Sequence, residues 1–108
     1  MHFKLPTSLV NREEFILSTC SGLRVLHLGC ADTPYTDVSI AAGRWLHAKL
    51  TNTAAECIGV DIDRETIRRL RDQYGVMNIV TGDAEALDTL QCGLFDVVVA
   101  GEIIEHLV

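Results

Sequence analysis

Apolar residues fall in short blocks separated by longer amphipathic runs. Four blocks stand out: RVLHLG (24–29), ECIGVDI (56–62), MNIVTG (77–82) and FDVVVAG (95–101). Each is too short for a helix and rich in Val, Ile and Leu without strict alternation, the pattern of strands buried on both faces. Between them the period changes. Residues 8–20, with Leu9, Phe15, Ile16 and Leu17, predict a short amphipathic helix. Thr36 or Asp37 can cap a helix running to Leu50, with Val38, Ala42, Trp45, Leu46 and Leu50 on one face. Gly43 weakens that helix by up to ~1 kcal/mol relative to alanine. DRETIRRLRDQYG (63–75) predicts a helix with Asp63 as N-cap and Gly75 as its stop. DAEALDTL (83–90) predicts a short helix or turn, and EIIEHLV (102–108) opens a further helix. Strands alternating with helices imply an α/β, Rossmann-like open parallel sheet.

In such sheets ligands bind outside the carboxyl ends of the strands. The residues there are Gly29-Cys30-Ala31-Asp32, Asp61-Ile62-Asp63, Gly82-Asp83-Ala84 and Gly101-Glu102. Their acidity repels a pyrophosphate but suits a ligand with hydroxyls, an amino group and a positive charge. The first loop also lacks the G-x-G-x-x-G of dinucleotide sites, which argues against a nicotinamide-dependent oxidoreductase. Helix capping accounts for Asp63 but not for Asp61. Cys30 reads as a small loop residue, and Trp45 and Tyr74 as packing groups.

Charge narrows the partners. Nine Lys and Arg against fifteen Asp and Glu give a net charge of -6 over 108 residues, so neither nucleic acid nor an anionic membrane is expected. The basic cluster of Arg64, Arg68, Arg69 and Arg71 is interleaved with Asp61, Asp63, Glu65 and Asp72 and reads as a solvated helix face. Four cysteines without C-x-x-C spacing fit reduced thiols. No apolar run approaches the ~18 residues of a spanning helix, and the start lacks a signal-peptide core. The expectation is a cytoplasmic protein.

Taken in order, VLHLGCADT, CIGVDID, NIVTGDAEAL and FDVVVAGEIIEHL resemble the successive motifs of class I S-adenosylmethionine-dependent methyltransferases, from Arg24 to the last residue. The resemblance implies S-adenosyl-L-methionine as cofactor, with Gly29, Cys30 and Ala31 letting the backbone approach its methionine part. Asp61 would accept from the ribose hydroxyls, with Ile62 against the adenine. Asp83 would bind the adenine amino group and the Ala84 N–H a ring nitrogen. Ala100 and Gly101 would face the methionine amino group, and Glu102 would line the pocket. The sequence departs from the family in the first motif, where His27 replaces a usual acidic residue and Ala31 and Thr33 stand at usual glycines. A neutral imidazole accepts one hydrogen bond where a carboxylate accepts several.

On a helix, Glu102, Glu105 and His106 would share one face. The face reads as solvated and polar, although the spacing is similar to the E-x-x-E-H of metal-dependent methyltransferases. The family's sheet has seven strands. Four are read here, in the order 3-2-1-4, so residues 1–108 are expected to form one incomplete, cofactor-binding domain. The expected activity is methyl transfer to a small molecule or cell-surface precursor. The alternative is a non-catalytic cofactor-binding or interaction module. An unpaired edge on the fourth strand would favour a homodimer through residues 95–108.

Overall fold

The computed structural model describes residues 12–82, 95–101 and 103–106. Residues 8–11 of the expected first helix, the expected helix or turn over 83–90, and Asp83, Ala84 and Glu102 lie outside them. The elements are α1 (Arg12–Cys20), β1 (Arg24–Leu28), α2 (Thr36–Ala41), α3 (Leu46–Thr53), β2 (Glu56–Asp61), α4 (Arg64–Tyr74), β3 (Ile79–Thr81), β4 (Val97–Ala100) and β5 (Ile103–His106). They build a five-stranded sheet in the order β3-β2-β1-β4-β5. The first four strands are parallel and keep the expected 3-2-1-4 order, with β1 between β2 and β4.

Alternation along β1 sorts the core. Val25 packs with Ile16, Cys20, Leu50, Cys57, Val97 and Val99 under α1 and α3. Leu26 points the other way and groups with Val60, Leu28, Ile58, Phe95 and Val98. A third group, Cys30, Ala31, Trp45, Ile67, Leu70 and Ile79, seats α4 and the first loop. α4 forms as its sequence predicts. Asp63 accepts from Thr66 N at 3.1 Å, and Gly75 closes the helix at φ +69°. Its arginines are largely engaged: Arg68 pairs with Glu65, Arg69 pairs with Asp37, and Arg71 donates to the Ile79 carbonyl.

Two expectations are corrected. The single helix over 36–50 is two helices, parted where Gly43 takes φ +70°. α2 also turns inward a face other than the apolar one expected, with Thr36 and Ser39 buried and Val38 60% exposed. Thr36 bonds the Ala31 carbonyl and Ser39 the Asp32 carboxylate. These local bonds to the first loop outweigh the 3.6-residue apolar pattern. Neither Thr36 nor Asp37 caps α2, whose N-cap position is Tyr35.

The second correction concerns the segment after β4, which is a strand and not a helix. β5 returns antiparallel along β4, with Ala100 opposite Ile103 and Val97 opposite His106. Only residues 101 and 102 separate the paired positions, and Gly101 sits at φ +62°. A two-residue hairpin needs that positive φ, and the β-branched pair Ile103-Ile104 suits the extended chain. β4 therefore has neighbours on both sides. The sheet is not truncated after four strands, and the free edge of β4 that the expected dimer relied on does not exist.

Candidate functional site

The first loop is held by its own bonds. Gly29 turns at φ +70° and its N–H donates to the Val60 carbonyl at 2.8 Å. Cys30 N–H donates to the same carbonyl at 3.3 Å, and its carbonyl accepts from Trp45 Nε1 at 2.8 Å. Ala31 is fully buried and donates its N–H to Asp61 Oδ2 at 3.0 Å. Ala31 thus ties the loop to β2 and presents no surface to a ligand. Asp32 adopts φ +60°, where asparagine and aspartate are the tolerated non-glycine residues.

Asp61 stands at the carboxyl end of β2, half-buried. Besides Ala31 it accepts from Asp63 N through Oδ1 at 2.9 Å. An ionised carboxylate offers about four lone-pair sites, so two remain for donors from a ligand. Ile62 beside it is 71% exposed, an apolar surface facing solvent. Asp63 is consumed by α4: Thr66 N and Thr66 Oγ1 both donate to it, and Thr33 Oγ1 bonds it from the first loop at 3.3 Å.

A cavity of about 150 Å³ opens at the carboxyl ends of β1 and β4. His27, Gly29, Cys30 and Asp32 line it from β1 and the loop, and Gly101 from the end of β4. Arg44, Trp45 and Leu46 close it from the α2–α3 elbow. Small-molecule sites typically run ~300–1,000 Å³, so this cavity is smaller than a site that encloses a whole cofactor-sized ligand. Arg44 went unrecognised in the sequence because a continuous helix over 36–50 makes it one more surface cation. The elbow at Gly43 is what carries it to the cavity.

His27 is only 4% exposed and stacks on His47, with ring centroids 5.2 Å apart and Nδ1 facing Nδ1 at 3.0 Å. Burial, reinforced by His47, pushes the His27 pKa down to about 3. Burial lowers that of His47 as well. Both rings are neutral at pH 7. Gly59 makes room for them: a Cβ there would stand 2.6 Å from His47 Cε1 and 2.7 Å from Cys30 Sγ. Burial, helped by the Asp61 charge, raises the Cys30 thiol to about 12, and burial raises Cys57 to about 12. Neither is a nucleophile at neutral pH.

Of the expected cofactor residues, His27, Gly29, Cys30 and Gly101 come together at the cavity, while Asp61 and Ile62 lie at the next strand end. Ala100 ends β4. Asp83, Ala84 and Glu102 fall outside the described residues. Glu105 lies on β5, an extended strand, so the helical spacing that would bring Glu102, Glu105 and His106 onto one face does not apply. Among the described residues no three His, Cys, Asp or Glu side chains are placed to hold a metal ion. Nor is any helix among them long and apolar enough to cross a membrane.

Residues 36–108 match the protein family described as Methyltransferase domain. The match begins at the first residue of α2 and spans more than half of the chain. The protein belongs to that family, the class I S-adenosylmethionine-dependent methyltransferases. No curated protein and no solved structure matches the chain.

Proposed function

We propose that this chain binds S-adenosyl-L-methionine and serves methyl transfer to a small molecule or cell-surface precursor in the cytoplasm. The observation that carries the reading is the placement of Asp61, with lone pairs to spare, beside a cavity at the carboxyl ends of β1 and β4 in a chain of this family. The residues present fit the cofactor. Asp61 accepts from the ribose hydroxyls and the exposed Ile62 lies against the adenine. The cavity, with an acidic and a basic group on its wall, receives the amino-acid end. The backbone amides of Gly29, Cys30 and Ala31 are already bonded within the protein, so recognition there falls to side chains. When bound, the cofactor supplies an electrophilic sulfonium methyl. The chain's own contribution is to hold and orient it, since methyl transfer needs chiefly alignment with the acceptor.

Calorimetry with S-adenosylhomocysteine tests the reading, and saturable one-to-one binding is the expected result. Absence of binding at millimolar ligand overturns it. A methyl-transfer assay then separates an enzyme from a cofactor-binding module.

A further inference from the structure

The first loop is poor in glycine, so its path depends on what holds its peptide groups. In the Gly29–Cys30 unit both partners are backbone: the carbonyl accepts from Asp32 N and the N–H donates to the Val60 carbonyl. The Ala31–Asp32 unit has one bond of each kind, Thr36 Oγ1 on its carbonyl and the Gly29 carbonyl on its N–H. The unit between them, Cys30–Ala31, is held by side chains. Its carbonyl accepts from Trp45 Nε1 at 2.8 Å, and its N–H donates to Asp61 Oδ2 at 3.0 Å. A trans peptide points its two groups in opposite directions, so Trp45 and Asp61 grip one plane from opposite sides.

The orientation of that plane is fixed by chemistry. An indole only donates and an ionised carboxylate only accepts. Turned over, the unit would set its carbonyl against the Asp61 carboxylate and its N–H against the indole N–H. Cys30, Ala31 and Trp45 are all buried, so a carbonyl deprived of the indole has no water to replace it. The indole is itself seated by the elbow, two residues past Gly43, with its ring tilted on His47 at 5.2 Å. Along such a chain each donor polarises the next, so the indole strengthens the N–H that reaches Asp61.

We infer that Trp45 is a positioning residue for Asp61, acting through the Cys30–Ala31 peptide. With Asp63 N on Oδ1, the clamp fixes which lone pairs of the carboxylate stay free for a ligand. Trp45 also lines the cavity, so one side chain joins the cavity wall to the acid at the next strand end. That Asp61 serves a ribose rests on the proposed cofactor; its coupling to Trp45 does not.

The chain has one tryptophan, so its indole N–H gives a single NMR signal. The test follows that signal and the Ala31 amide in the ¹⁵N-labelled chain. Trp45→Phe keeps a ring in place and removes the donor. The Ala31 amide proton should then move upfield and exchange faster, and an unchanged amide overturns the coupling. Asp61→Ala reads the clamp from its other end and should move the indole signal. An unmoved indole overturns the coupling whether or not Trp45→Phe folds. Calorimetry separates positioning from direct contact. Trp45→Phe should weaken S-adenosylhomocysteine and 5′-methylthioadenosine, which share the ribose, alike by about fivefold. Made on top of Asp61→Ala, it should cost nothing further. No loss in the first case, an equal loss in the second, or a loss confined to S-adenosylhomocysteine overturns the positioning role. If neither ligand binds the wild type, the cofactor reading fails, while the two NMR signals still decide the coupling.

Discussion

Asp61 and Asp63, two residues apart, divide binding from folding unevenly. Asp63 caps α4 and takes one exposed bond from Thr33, so Asp63→Ala should cost about 1 kcal/mol of stability and leave S-adenosylhomocysteine affinity within about twofold. Asp61→Ala should weaken that affinity at least tenfold. It should also lower the melting temperature, because the buried Ala31 N–H loses its acceptor, a loss of ~1–3 kcal/mol. Calorimetry beside thermal unfolding checks both, and equal affinity losses would refute the assignment. The histidine pair sets a pH dependence whose sign is fixed by burial. His27 titrates near 6.5 when unfolded and about 3 when folded, so the unfolded chain binds more protons between those values. The stabilisation is complete above pH 6.5 and falls by up to ~1.4 kcal/mol per pH unit as the pH drops toward 3. Urea midpoints between pH 7.5 and 4.5 should decline accordingly, and decline less steeply in His27→Gln, where the buried His47 still titrates below its ordinary range.

Among the elements, β2 is the most sensitive to a single carbon. Gly59→Ala would press a methyl against His47 and Cys30, both buried, and overpacking of this kind costs typically 1–3 kcal/mol. Denaturant unfolding should show that loss together with a changed His47 ring signal. Strands β1 to β4 and α4 were legible because their cues are local: β-branched runs, an Asp N-cap, a Gly stop. The α2–α3 break was not. Gly43 was recognised as a weak point, but its left-handed turn depends on Thr36 and Ser39 finding partners in the first loop. β5 was missed for a related reason. EIIEHLV satisfies helical spacing, and only the positive φ of Gly101, visible in three dimensions, sends the chain back along β4. At the site, Asp61 stood out as a strand-end acid that no helix cap explained, and its role toward a ligand is what the resemblance implies. Arg44 and His47 were not, because each reaches its position through that same break.

For the molecule as a whole, β4 is an interior strand. Val98→Lys would block association only if β4 were an open edge. In the folded sheet it places an ammonium against the Leu26 and Val60 group. The expected result is a loss of at least ~2 kcal/mol of stability, with no change of mass in light scattering. A lower mass with stability intact would restore the edge-pairing view. Among the described residues the outer strands are β3 and β5, each bonded on one side. Gly101, which lines the cavity, is also the tip from which β5 departs. Amide exchange carries the consequence. If β5 opens, Gly101 loses its support at the cavity. A ligand bridging the first loop and Gly101 should therefore slow exchange at Glu105, whose N–H turns toward β4 by the antiparallel alternation and which need not touch the ligand. The hairpin makes occupancy of the cavity readable as a clock on a strand at the sheet's margin.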